Sequence, residues 1–238
     1  MTNTPAVELD KVTLKLGTRA FEFDCAFAAG KVTAITGPSG SGKSTLLNLV
    51  AGFETPDSGR VLMEGRDMTG IHPGERPLSL VFQDNNLFAH LDLFTNIGLG
   101  LHPALRLTAD QRQAVSGALS RVGLAGSERR KPGTLSGGER QRAAFARALV
   151  RKRALLALDE PFAALDPALR LAMADLLSEL HQETQNTILI VTHDIEEVRR
   201  LADEVIFIDS GKVLFHGEKR FFLTHSDHAA ISKFVLSS

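Results

Sequence analysis

Gly37-Pro38-Ser39-Gly40-Ser41-Gly42-Lys43-Ser44-Thr45 is the stretch from which the rest of the chain is read. A glycine, four residues, then Gly-Lys-Ser is the pattern of a loop that wraps a polyphosphate. Gly37, Gly40 and Gly42 lack the Cβ atoms that would hold the backbone off an anion, so successive N–H groups can turn inward. Lys43 would then reach the β- and γ-phosphates, and the Ser44 hydroxyl would sit on Mg²⁺. Upstream, Val32, Ala34 and Ile35 mark a short buried strand over residues 31–36; downstream, residues 44–51 read as a helix stopped by Gly52. The loop therefore opens a helix, and the helix dipole favours an anion there. A Gly/Ser-rich turn that only happens to hold a lysine would not come with that strand and helix.

The chain has 238 residues, enough to bury a full core, and it reads as one α/β domain with an inserted lobe. A formal net charge of -1 gives no electrostatic footprint for nucleic acid. Cys25 is the only cysteine, which excludes an intrachain disulfide and suits a reducing compartment such as the cytosol. Residues 1–5 carry no basic or apolar leader, and nowhere do eighteen apolar residues follow one another. A membrane role is expected to run through a partner.

Outward from the loop, Val7, Leu9, Val12, Leu14 and Leu16 alternate with polar residues, as do Phe21, Phe23, Cys25 and Phe27, so two antiparallel strands are expected. Residues 55–59 form a turn cluster, residues 60–64 a strand, and Gly65-Arg66-Asp67 a second turn. An apolar strand over residues 78–82 runs into Gln83, at the strand end where α/β folds place ligand groups. From residue 84 to 150 the pattern turns helical, which suggests an inserted lobe. Within it Thr108 and Gln111 have capping-box spacing, ahead of a stripe of Val115, Ala118, Leu119 and Val122. Ser136 and Glu139 repeat that spacing around Gly137 and Gly138, so the helix tip is either a second anion site or simply a capped helix.

A buried strand over residues 155–158 ends in Asp159-Glu160. Carboxylates at the mouth of a sheet are costly unless they bind a cation or do chemistry, so Asp159 suits the Mg²⁺ shell and Glu160 can orient or deprotonate a water. Asp166-Pro167 opens a helix as cap and first residue, with Leu169, Met173, Leu176, Leu177 and Leu180 on its apolar face. A strand over residues 187–191 leads to His193, placed to read a γ-phosphate or else to be a neutral hydrogen-bonded histidine. Residues 204–209 and 212–216 read as a closing hairpin.

Taken together and in this order, these elements resemble the ATP-binding subunit of ABC transporters over essentially the whole length. Walker A is Gly37 to Ser44, the Q-loop is Gln83, the signature is Leu135 to Glu139, Walker B is Leu155 to Asp159 followed by Glu160, the D-loop is Ala164-Leu165-Asp166 and the switch histidine is His193. The resemblance implies an α/β P-loop NTPase with a RecA-like core, an antiparallel β subdomain and a helical subdomain. The core with its β subdomain would take residues 1–83 and 151–217, the helical subdomain 84–150, and a short tail 218–238. It implies ATP and Mg²⁺ as cofactors, Glu160, His193 and Gln83 as catalytic residues, and Ser44, Gln83 and Asp159 around the metal.

It also implies a head-to-tail homodimer in which Ser136, Gly137 and Gly138 of one copy cover ATP held by residues 37–45 of the other. One phosphate loop and one signature per chain agree with that, since two closed sites need a second copy. Permease subunits would dock near Gln83 on the cytoplasmic face of the inner membrane, with a solute-binding protein as the indirect partner and no nucleic acid. Residues 83–91 and 96–101 look like the importer ATPases that serve thiamine in Gram-negative bacteria. Rival readings are an ABC ATPase acting on nucleic acid or ribosomes, which would bring coiled-coil insertions, basic patches or a second cassette, and a transporter of another solute. One departure stands out: the family usually has an aromatic residue near Leu16 to stack on adenine, and this chain contains no Tyr or Trp. Leu16 is the nearest apolar candidate for the base, unless it is an ordinary sheet residue.

Overall fold

The computed structural model describes residues 4–82, 86–224 and 229–237. Alternating apolar residues make β1 (Val7–Leu16) and β2 (Arg19–Phe27) an antiparallel pair with one face buried. Next comes β3 (Val32–Thr36), buried at every position, and α1 (Lys43–Ala51), which Gly52 closes in a left-handed conformation. The antiparallel layer is completed by β4 (Ser58–Met63) and β5 (Arg66–Asp67). Here the structure corrects the expected second turn. Only Glu64 and Gly65, at φ of 49° and 77°, form the turn, while Arg66 and Asp67 already pair with Met63 and Leu62 as a strand.

After β6 (Leu78–Val81) come the helices α2 (Leu93–Gly98), α3 (Ala109–Arg121) and α4 (Gly137–Val150). Both capping boxes are present: Thr108 with Gln111, and Ser136 with Glu139. The remaining elements alternate in the doubly wound manner: β7 (Leu155–Asp159), α5 (Pro167–Thr184), β8 (Thr187–Val191), α6 (Ile195–Leu201), β9 (Glu204–Asp209) and β10 (Lys212–Glu218). The chain then adds α7 (Lys219–Thr224) and α8 (Ala229–Ser237), whose Phe222 and Ile231 are buried in the main core.

The ten strands among the described residues form one sheet in the order β5-β4-β1-β2-β10-β9-β3-β8-β7-β6. Strands β9, β3, β8, β7 and β6 run parallel, so the chain leaves β3, β7 and β8 at the same edge. Ligand groups converge at such an edge because each parallel strand delivers the start of its next connection there. This is the expected α/β class. One fully buried cation fastens the helix behind that edge. Arg76 donates from Nη1 to the carbonyls of Leu49 at 2.7 Å and Val50 at 2.8 Å, and from Nε to Ile71 at 3.1 Å, which satisfies carbonyls at the C-terminus of α1.

Candidate active site

The stretch 37–45 leaves β3 as a loop and turns directly into α1. Its backbone tolerates little but glycine at the start: at Gly37, φ is 141° and a Cβ would stand 2.0 Å from the carbonyl oxygen of Ile208. Lys43 folds back over the loop and donates from Nζ to the carbonyls of Gly37 at 3.0 Å and Pro38 at 2.9 Å. Burial lowers its pKa, and the carboxylates of Glu160 and Asp159 work against that shift. A buried ammonium that leans on backbone carbonyls is poised to exchange them for phosphate oxygens.

Strand β7 delivers Asp159, and the hydroxyl of Ser44 donates to its Oδ1 at 3.4 Å. Burial pushes the Asp159 pKa up, opposed by the Ser44 hydrogen bond, so a cation here would relieve a desolvated carboxylate. Among the described residues no group of three or more His, Cys, Asp or Glu could cage a metal. One carboxylate and one hydroxyl do fit Mg²⁺, which takes its remaining ligands from phosphate and water. Glu160, next in sequence, has a left-handed φ of 46°, and its N–H donates to the Val191 carbonyl at 3.0 Å. Its Oε1 lies 3.3 Å from Nδ1 of His193, which follows β8.

A cavity of about 660 Å³ opens beside these groups: residues of the loop, Lys43, Ser44 and Thr45 line it together with Glu160 and His193, while Asp159 is outside its wall and reaches it through Ser44. Of the residues expected around the phosphates, Gly37, Pro38, Ser39, Gly40 and Gly42 are in its wall, whereas Ser41 is buried behind the loop. Ser136, Gly137 and Gly138 are not part of the wall; they open α4, and Gly138 packs against Leu165, which a Cβ there would meet at 3.1 Å. Leu16 is 38% exposed at the end of β1 and also outside the wall. Gln83 lies outside the described residues.

Three further residues now stand out: Arg19, which the sequence placed only near Leu16, and Phe234 and Gln141, which it did not assign to the site. Arg19 lines the cavity, donates to the Gly40 carbonyl and holds its guanidinium 5.9 Å from the Phe21 ring centroid. Phe234 of α8 lines it as well and packs edge-on against Phe207, with ring centroids 5.4 Å apart. Gln141 of α4 is buried; its Nε2 donates to the Glu160 carbonyl at 2.9 Å and its Oε1 accepts from the Ala164 N–H at 3.1 Å. The lone hint in the sequence was the position of Gln141 on the helix that starts at the signature.

The family model described as ABC transporter matches residues 21–163, which hold the phosphate loop, the signature tip and the Asp159-Glu160 pair. The chain belongs to this family. The thiamine import ATP-binding protein ThiQ of Rhizobium meliloti (strain 1021) is 53% identical over 233 residues, covering 98% of this chain and 98% of its own length. The protein of the same name from Photorhabdus laumondii is 47% identical and covers 89% of this chain and 90% of its own length. Among solved structures, a dimeric post-hydrolysis state of an ATP-binding cassette bound to ADP and Pi superposes with a TM-score of 0.80 at 30% identity, covering 90% of this chain and 99% of that one. CbiO1 from Clostridium perfringens, part of an ABC transporter complex, superposes with a TM-score of 0.81 at 30% identity, covering 94% and 92%. Membership of the family makes the chain an ATP-hydrolysing transporter subunit with the ABC ATPase fold.

Proposed function

We infer that the chain powers a thiamine importer as a head-to-tail homodimer bound to permease subunits at the cytoplasmic face of the inner membrane. The observation that carries the reading is that Lys43, Ser44 and Glu160 line one cavity, with Asp159 hydrogen-bonded to Ser44, in a chain 53% identical to a thiamine import ATP-binding protein. No helix among the described residues is long and apolar enough to cross a membrane, so the permease would supply the path. The phosphate tail would replace the Gly37 and Pro38 carbonyls on Lys43. Ser44 and Asp159 would hold Mg²⁺, with Gln83 as a third contributor, and the ion when bound neutralises charge on the phosphates. Glu160 would take the proton of the attacking water, with His193 beside it to sense the γ-phosphate.

The second copy would bring its Ser136, Gly137 and Gly138 over the nucleotide, since these lie outside the cavity wall within one chain. Buried Gln141 connects that helix to the Glu160 backbone, so closure of the dimer bears on the catalytic carboxylate. A separate groove of about 380 Å³, lined by Phe53, Phe82, Phe88, Leu99 and Arg147, suits a helix of the permease. Its neighbouring wall, His72 to Gly74, adjoins the Arg76 that fastens α1, which gives docking a route to the phosphate loop.

Reconstitution with the permease and binding protein in liposomes tests the cargo. Thiamine-loaded binding protein should raise ATPase activity several-fold over unloaded protein. Equal stimulation by another vitamin or a sugar, with none by thiamine, would transfer the assignment to that solute; recovery of ribosomes or DNA instead of a permease from solubilised membranes would favour the rival class.

A further inference from the structure

An unassigned feature lies at the opposite end of the strands from the phosphate loop. A cleft of about 640 Å³ runs between α3, α4, α5 and the starts of β6, β7 and β8, and shares no lining residue with the nucleotide cavity. Its volume is within the usual range for a small-molecule pocket. Its throat is apolar, with Ala118, Leu149, Leu156 and Leu180. Two lining residues each carry a buried polar atom without a hydrogen-bond partner: Ser79 Oγ, in a residue only 2% exposed, and Asn186 Oδ1. A buried acceptor left unpaired costs free energy that a ligand donor can recover. At the mouth, Arg121 is taken up by Glu183 through two hydrogen bonds of 3.1 and 3.2 Å. Lys152 and Arg153 line the cleft and have no ion-pair partner among the described residues. Lys152 also takes a left-handed φ of 47°, a strained choice for a lysine.

We propose that this cleft binds a small aromatic anion, with its ring in the throat, an N–H or O–H donor on Asn186 Oδ1 and Ser79 Oγ, and its charge on Lys152 and Arg153. Water would satisfy the two orphan atoms but would leave the apolar throat without a role.

The probes are 8-anilinonaphthalene-1-sulfonate, which carries ring, N–H and anion, and its uncharged analogue N-phenyl-1-naphthylamine. Both are titrated by fluorescence against the full chain with ADP saturating, so that the nucleotide cavity is filled. The sulfonate should bind once per chain and about tenfold or more tighter than the uncharged probe, since two cations face it. Lys152→Glu with Arg153→Glu should erase that preference while the uncharged probe and the ATPase rate stay unchanged. Gly117→Phe should block both probes, because Gly117 lines the cleft and a Cβ there meets nothing within 4 Å. Sulfonate binding that competes with ADP, that survives both variants, or that spreads over several weak sites would overturn the proposal and leave the cleft to water. If Gly117→Phe fails to fold, the charge-reversed variant decides alone.

Discussion

Lys43 shows how a single residue carries meaning at this site. Its side chain is buried and its ammonium bonds two carbonyls of its own loop, which under the proposed function an anion would replace. Lys43→Ala should therefore weaken ATP binding by about 3 kcal/mol, or roughly a hundredfold, with little change in melting temperature. Equilibrium titration with a fluorescent ATP analogue measures it, and unchanged affinity would remove Lys43 from the phosphate site. The base end is governed by different residues. Leu16 is outside the wall of the nucleotide cavity, and the side chains that line it beside the loop are Arg19, already hydrogen-bonded to the Gly40 carbonyl, and Phe234, which has no hydrogen-bonding group. Affinities for ATP and GTP should then differ by less than about tenfold. Competition assays that find a strong adenine preference would refute this and point to a base contact from the second copy.

At the scale of elements, two helices with the same cap have different duties. Thr108 caps α3 and Ser136 caps α4, each accepting from the N–H three residues on, with the glutamine or glutamate reaching back. Each cap is worth about 1 kcal/mol. Thr108→Ala and Ser136→Ala should thus lower stability to denaturant by similar amounts, while only Ser136→Ala reduces the ATPase rate of the assembled transporter. Equal losses of activity would make Ser136 a cap and nothing more. Elements of this kind were plain in the sequence because capping depends on residues three apart. The strand β5 was not, since two residues become a strand only when β4 offers its edge. The end of the chain was likewise read as a tail, yet Phe222 and Ile231 bury themselves against distant residues.

For the whole molecule the proposed function predicts dimerisation driven by nucleotide. The signature tip does not line the cavity of the phosphate loop within one chain, so in the proposed dimer ATP would be shared between copies. Glu160→Gln should keep ATP affinity, slow hydrolysis by about 10² to 10⁴-fold, and run as a dimer in ATP but as a monomer without it. Size-exclusion chromatography with light scattering reads the mass. A monomer at saturating ATP would remove the shared site, and hydrolysis at the normal rate would remove Glu160 as the base.

By itself the sequence determined the phosphate loop, the carboxylate pair at the end of β7, both capping boxes and the α/β class, because each is written in neighbouring residues or in a short period of apolar ones. Only the tertiary structure decided that Arg19 and Phe234 stand beside the phosphate loop, that Gln141 joins the signature helix to Glu160, and that Arg76 fastens α1. Those contacts join segments far apart in the chain, and no local pattern distinguishes a glutamine or arginine that will meet a distant carbonyl from one that will meet water.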